Sequence, residues 1–151
     1  MQKSQNAFTM VELIFVIVIL GILAAVAVPK LNATRDDAYI VKSAQNIMLG
    51  AGEIASYATS KGITDTDLAV MSNGIKALEQ SGDAVLTNRK AVVAIGSIND
   101  CVTIEVLSGV NDENLTISFG NAGGDGKCLS MQNAIDAQQY PMQLRGTSVA
   151  R

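Results

Sequence analysis

The sequence contains no histidine and only two cysteines, which excludes several common kinds of catalytic site. Histidine is the commonest general base and the commonest metal ligand in proteins. No serine or cysteine lies in a nucleophile motif, and the acidic residues are scattered rather than paired. We therefore expect a protein that is not an enzyme and holds no cofactor.

Positive charge is also scarce. The 151 residues include 11 Lys and Arg against 14 Asp and Glu, so the net charge is −3. Nucleic-acid-binding domains normally carry a clustered basic surface, and no such cluster occurs here. We expect no direct nucleic-acid site in a chain whose length allows one membrane anchor and one modest domain.

The feature that stands out is a long apolar run. Phe8 to Val28 spans 21 residues, and Glu12 is the only charged residue among them. As a helix the run would be roughly 31 Å long, close to the hydrocarbon thickness of a bilayer. Placing a carboxylate inside such a segment costs free energy. A carboxylate found there therefore indicates a function. We predict a helix inserted in the lipid bilayer, with Glu12 as its functional residue.

Two ordinary interpretations of this run stay open. Lys3, the apolar run and the small residues Ala25-Val26-Ala27 would fit a secretory signal peptide, although the run is long for one. Alternatively, the segment is a plain single-pass anchor in which Glu12 reaches the lipid headgroups. The chain would then be an anchored, exported binding domain that does not polymerise.

A third interpretation explains more of the residues. A short polar leader precedes Phe8, and residues 8–13 read FTMVEL. Positions 1 to 35 thereby resemble the N-terminus of type IV pilins and type II secretion pseudopilins, whose pattern is FT-x-x-E-L. Gly21 and Pro29 also stand where the family commonly carries Gly and Pro. Ala7 is a departure, since Gly is usual at that position. Residues 1–7 would be the leader, 8–29 the transmembrane and assembly helix, and 30–151 the globular domain.

The resemblance implies a processing and assembly mechanism. A prepilin peptidase, which is also an N-methyltransferase, would cut between Ala7 and Phe8 and methylate the new amine. That amine and Glu12 would lie four residues apart on one helical face, where the helix dipole also favours the carboxylate. In the family, the counterpart of Glu12 meets the amine of a neighbouring subunit and sets the register of a helical filament. The implied partners are copies of this chain or related pilins, and an inner-membrane assembly platform.

The two cysteines indicate on which side of the membrane the C-terminal domain lies. Cys101 and Cys128 enclose 26 residues, and an even pair in an exported domain favours a disulfide, although two free core cysteines are the alternative. We expect a single-pass inner-membrane protein with its C-terminal domain in the periplasm, and later a periplasmic or surface filament. The sequence does not decide among a pilus for adhesion or motility, type II protein secretion and DNA uptake.

The remaining pattern predicts an α+β fold in which a long N-terminal helix packs on a small antiparallel sheet. Helical periodicity resumes after Pro29 and ends at Gly62, with a stripe formed by Ala38, Ile40, Val41, Ala44, Ile47, Met48, Ala51, Ile54, Ala55 and Ala58. Leu49 points away from this stripe. One short second helix should begin at Thr64 to Asp67 and include Leu68, Met71, Ile75 and Leu78.

Strands are predicted at 92–95, 102–107 and 115–119, in a sheet of three or four strands. We interpret the glycine-rich segment 120–126 as a turn between strands, and the tail from Ala134 as partly ordered surface. Asp112, Glu113 and Asp125 are weak calcium candidates, since their spacing matches no calcium loop.

Overall fold

The computed structural model describes residues 8–109 and 112–145. The chain divides after Asp37 into two compact units. Helix α1 runs from Met10 to Lys61 and includes Pro29, so the predicted continuation past this proline is confirmed. It ends at Gly62, whose φ of +69° is a conformation that glycine adopts without strain.

Two short helices follow where one was predicted. Helix α2 covers Leu68–Met71 and helix α3 covers Asn73–Gln80. The break lies at Ser72, which has an extended backbone and whose side chain accepts a hydrogen bond from Ile75 N. Because serine offers this bond to the backbone, it ends one helix and caps the next.

The sheet has five antiparallel strands in the order β1-β2-β3-β4-β5. Their bounds are Ala84–Thr87, Lys90–Ile95, Ile98–Ser108, Glu113–Phe119 and Met142–Arg145. The α+β architecture, the antiparallel sheet and its three central strands are confirmed, whereas the expected count of three or four strands is wrong. Strand β5 lies in the tail that was predicted to be partly ordered surface, and residues 146–151 of that tail lie outside the described residues.

The glycine-rich segment is also different from the prediction. It connects β4 to a helix, α4, which covers Gly126–Ala134, and it is therefore not a turn between strands. Asp125 makes this helix possible because its carboxylate accepts hydrogen bonds from Lys127 N and Cys128 N. A single 3₁₀ turn, Ala137–Gln139, separates α4 from β5.

The core lies between the second half of α1, α3 and one face of the sheet. The buried residues of α1 are Ile40, Ser43, Ala44, Ile47, Gly50, Ala51, Ile54 and Ala58. Six of the ten residues of the predicted stripe are buried, so the stripe is confirmed except at its edges, where Ser43 and Gly50 are also buried while Ala38 and Val41 are exposed. Close packing explains the difference, since a Cβ atom added at Gly74 of α3 would lie 2.6 Å from the backbone oxygen of Asn46. Helix α3 thus packs directly against the backbone of α1.

Candidate assembly and processing site

Every residue from 8 to 35 is exposed. Within α1, an 18-residue window reaches a mean hydropathy of 3.0, and none of it is buried in the protein. Among the described helices, α1 alone is long and apolar enough to cross a membrane. A helix that is apolar on all sides needs lipid or other helices around it.

Glu12 lies at the start of this helix and forms a capping box with Thr9. The carboxylate oxygen Oε2 accepts hydrogen bonds from Thr9 N at 2.8 Å and from Thr9 Oγ1 at 2.7 Å. In return, Glu12 N donates to Thr9 Oγ1 at 3.2 Å. The Thr-x-x-Glu spacing is the signature of this motif, so the sequence contained the signal. Because both donors reach Oε2, the carboxylate keeps capacity to accept a further donor at Oε1.

The other predicted assembly residues lie on the same exposed helix. A Cβ atom added at Gly21 would meet nothing within 4 Å, so packing inside the chain does not require glycine there. Pro29 has no N–H group and leaves the carbonyl of Ala25 without its usual helical partner. The structure thus gives neither residue an intramolecular role.

The predicted cleavage point lies at the edge of the described chain. Phe8 is 80% exposed and precedes α1 by two positions. Ala7 and the rest of the predicted leader, residues 1–7, lie outside the described residues. Cleavage and methylation at Ala7 and Phe8 therefore stay predictions from the motif.

Comparison with known proteins identifies the same N-terminal segment. Residues 2–28 match the family model described as the prokaryotic N-terminal methylation motif. Over 98% of its length, the chain is 28% identical to the fimbrial protein EcpC of Eikenella corrodens, of which 95% is covered. These two matches support membership of the type IV pilin family. No solved structure is significantly similar to it.

The predicted disulfide between Cys101 and Cys128 is present. Cys101 in β3 and Cys128 in α4 are bonded, their Cα atoms are 5.7 Å apart, and both side chains are fully buried. Gln132 of α4 adds hydrogen bonds from Nε2 to the backbone oxygens of Cys101 and Gly120, each at 2.9 Å. The disulfide and Gln132 together hold α4 against β3 and the end of β4.

The three weak calcium candidates lie in different environments. Asp125 caps α4 and also accepts hydrogen bonds from Ser97 N and Ser97 Oγ, which contribute to lowering its pKa to about 2. The largest contribution to this pKa comes from the backbone N–H of Cys128. Glu113, at the first residue of β4, is paired with arginines. The described residues contain no group of three His, Cys, Asp or Glu side chains able to hold a metal ion.

Sequence analysis named Glu113 but missed its burial and its arginine partners. Glu113 is 5% exposed, and its Oε1 accepts a hydrogen bond from Arg89 Nη1 at 3.0 Å. Its Oε2 has no hydrogen bond but lies 3.5 Å from Arg145 Nε in β5. Burial raises the pKa of Glu113, but hydrogen bonds from Thr64 and Arg89 and the two arginine charges outweigh burial and hold it below its usual range.

Glu53 was also missed, since the sequence places it on the polar side of α1. Its Oε2 accepts hydrogen bonds from Ser72 Oγ at 2.7 Å and from Gly74 N at 3.0 Å. Glu53 therefore joins α1 to the first turn of α3. No local sequence signal predicts this contact, because it spans about twenty residues and depends on the helix crossing.

The second half of α1 also has an exposed apolar side. Val41 and Leu49 are both about half exposed, and Leu49 borders a groove shared with Gly52, Tyr57 and Met71. The prediction that Leu49 points away from the core is confirmed.

Proposed function

We propose that this pilin is a structural, non-enzymatic subunit of a type IV pilus-like filament, and that the filament is a fimbria. The exposed apolar helix with Glu12 at its start is the observation that carries the proposal. The relative that matches nearly the whole chain is a fimbrial protein, which favours a pilus over type II secretion or DNA uptake.

Processing would begin in the inner membrane. A prepilin peptidase cuts between Ala7 and Phe8 and methylates the amine of Phe8. The globular unit lies in the periplasm, because a buried disulfide requires an oxidising compartment to form. An assembly platform then extracts the subunit into a filament of copies of itself or of related pilins.

Register within the filament would come from Glu12. A carboxylate among apolar helices is costly unless a cation meets it, and the amine of Phe8 on a neighbouring subunit is such a cation. Oε2 stays bonded to Thr9, and Oε1 accepts the incoming ammonium. One polar contact among apolar helices fixes their stagger, as a single polar residue does in a coiled coil.

The rest of the helix would adapt to this contact. The stretch from Gly21 to Pro29 contains a glycine, which favours helix poorly, and a proline that removes one backbone hydrogen bond, so local unwinding there costs least during assembly. Val41 and Leu49 would be covered by neighbouring subunits in the filament.

The test compares three substitutions in cells with a working peptidase. Glu12→Gln removes the charge but keeps an oxygen acceptor for Thr9, whereas Glu12→Ala removes both. Thr9→Ala is the matched control, because it removes the capping side chain and keeps the charge. We expect normal cleavage in all three, filaments from Thr9→Ala, and a loss of sheared filaments to background in both Glu12 variants.

Intact mass gives the second measurement. Loss of residues 1–7 with one added methyl group supports the proposal, and loss through Ala27 would show a signal peptide instead. Filaments of normal yield from Glu12→Gln would remove the charge from the mechanism. A methylated monomer that never polymerises would favour the anchored binding domain.

A further inference from the structure

Asn73 and Gly74 form the only Asn-Gly pair in the sequence. In a flexible chain this dipeptide is prone to deamidation. The backbone nitrogen of glycine attacks Cγ of asparagine, a C–N bond forms, and the side-chain nitrogen leaves as ammonia. Water then opens the cyclic imide to aspartate or isoaspartate, so the net reaction consumes one water and releases one ammonia.

The nucleophilic atom of this reaction is held in the folded protein. Gly74 N donates a hydrogen bond to Glu53 Oε2 at 3.0 Å, and Gly74 is buried. This bond is the foremost reason why the pKa of Glu53 lies below its usual range. The carboxylate is therefore charged at neutral pH, and its hydrogen bond is of the stronger, charge-assisted kind.

The helix imposes a second restraint. Asn73 is the first residue of α3, and its backbone and side chain contribute to lowering the pKa of Glu53. To close the imide ring, Gly74 N must release Glu53 and turn toward Cγ of Asn73. That movement breaks the first turn of α3.

Glycine is required at this position by packing. A Cβ atom added at Gly74 would lie 2.6 Å from the backbone oxygen of Asn46 and 3.0 Å from Gly50 N. The close crossing of α1 and α3 thus requires the glycine of this chemically labile dipeptide. Asn73 itself is exposed, so its carboxamide is accessible to water.

We propose that Asn73 is a latent deamidation site and that the Glu53 carboxylate suppresses the reaction by holding the N–H group of Gly74. Deamidation would add a carboxylate beside Glu53 and weaken the contact between α1 and α3. The modified fraction therefore records how often the start of α3 opens. The inference is independent of filament assembly.

The experiment incubates the full-length protein in detergent micelles at mildly alkaline pH and measures aspartate and isoaspartate at position 73 by peptide mass spectrometry. We expect Glu53→Ala to deamidate on the order of tenfold faster than the parent, the factor for losing one hydrogen bond to a charged group. Glu53→Gln keeps an oxygen acceptor and should show a smaller increase. Ser72→Ala is the matched control, since it removes the α3 cap and the hydrogen bond from Ser72 Oγ to Glu53 but leaves the bond from Gly74 N to Glu53. Its rate should therefore rise less than that of Glu53→Ala.

Two further measurements keep the test decisive. The denatured parent chain gives the unprotected rate, which must exceed the rate of the folded protein. If Glu53→Ala does not fold, hydrogen exchange at Gly74 N in the parent and in Glu53→Gln replaces it, with faster exchange expected in the variant. An unchanged rate in Glu53→Ala overturns the proposal, and a slower rate overturns it by showing that Glu53 acts as a base.

Discussion

Residues 10–35 and 40–58 belong to one helix, yet their apolar side chains have opposite surroundings. All of the first set is exposed, whereas eight residues of the second half of α1 are buried. The first part is apolar on all sides, whereas the second part has an apolar stripe that packs against α3 and the sheet. A single small domain cannot cover a helix on all sides, so the partners of the first part must come from outside the chain.

The two parts also use their carboxylates differently. Glu53 and Glu113 lie in the globular unit and have their partners within it, as the hydrogen bonds from Gly74 and Arg89 show. Glu12 has only the capping contact with Thr9 among the hydrogen bonds described. A charge that the fold satisfies contributes to stability, while the proposed function assigns the partly satisfied charge of Glu12 to assembly.

The largest expected effect on stability comes from making the same substitution, isoleucine to alanine, in the buried part and in the exposed part of α1. Ile54→Ala removes a fully buried side chain and should lower the free energy of unfolding by about 2–5 kcal/mol. Ile17→Ala makes the same chemical change at a position that is 56% exposed. It should change the unfolding free energy by less than about 0.5 kcal/mol.

Urea unfolding in detergent, followed by circular dichroism, gives both values. Equal losses for Ile54→Ala and Ile17→Ala would contradict the division, because they would show that the globular unit depends on the first part of α1.

Removal of the disulfide should have the next largest effect on stability. Replacing both Cys101 and Cys128 by alanine should cost about 3 kcal/mol, the chain-entropy value for a loop of this length. Processing at Ala7 and Phe8 should be unaffected, because it involves only the first part of the chain. Thermal unfolding and intact mass measured on the same sample check both statements. Failure to cleave the variant would link the two regions.

The sequence predicted best where a local pattern carries the information. The apolar run, the end of α1 at Gly62 and the three central strands follow from periodicity and turn residues. The family resemblance of the N-terminus was confirmed by a family model that matches residues 2–28. The roles of Ala7, Phe8, Gly21 and Pro29 stay predictions, since a single chain does not contain the partners that would test them.

The sequence failed where tertiary contacts decide. Strand β1 is joined to β2 by Asn88-Arg89, which lacks the glycine typical of a two-residue hairpin, and Arg89 adopts a φ of +58°. Strand β5 is only four residues long and depends on the buried Leu144 and on Arg145, which bonds Gly62 O and faces Glu113. The stripe on α1 was predicted correctly except at its edges, where the buried Gly50 was missed because its burial depends on the crossing with α3.

The smallest expected effect is the difference in stability between removing a buried ion pair and removing an exposed one. Glu113→Gln should cost about 2 kcal/mol, because it weakens hydrogen bonds between charged groups at a buried position. Glu105→Gln is the matched control, since Glu105 lies 3.9 Å from Lys90 and both side chains are more than a third exposed. Its cost should be at most about 0.5 kcal/mol.

The two variants should also differ in their response to acid. The folded-state pKa of Glu113 is lower than its unfolded value, so its contribution is complete above the usual glutamate pKa of about 4.3 and is lost as pH falls through the lowered value. The melting temperature should therefore fall less in Glu113→Gln than in the parent when the pH is lowered from neutral to below 4.3. Glu105→Gln should follow the parent, and an acid response in Glu113→Gln as steep as that of the parent would show that Asp125 and Glu53 account for the pH dependence instead.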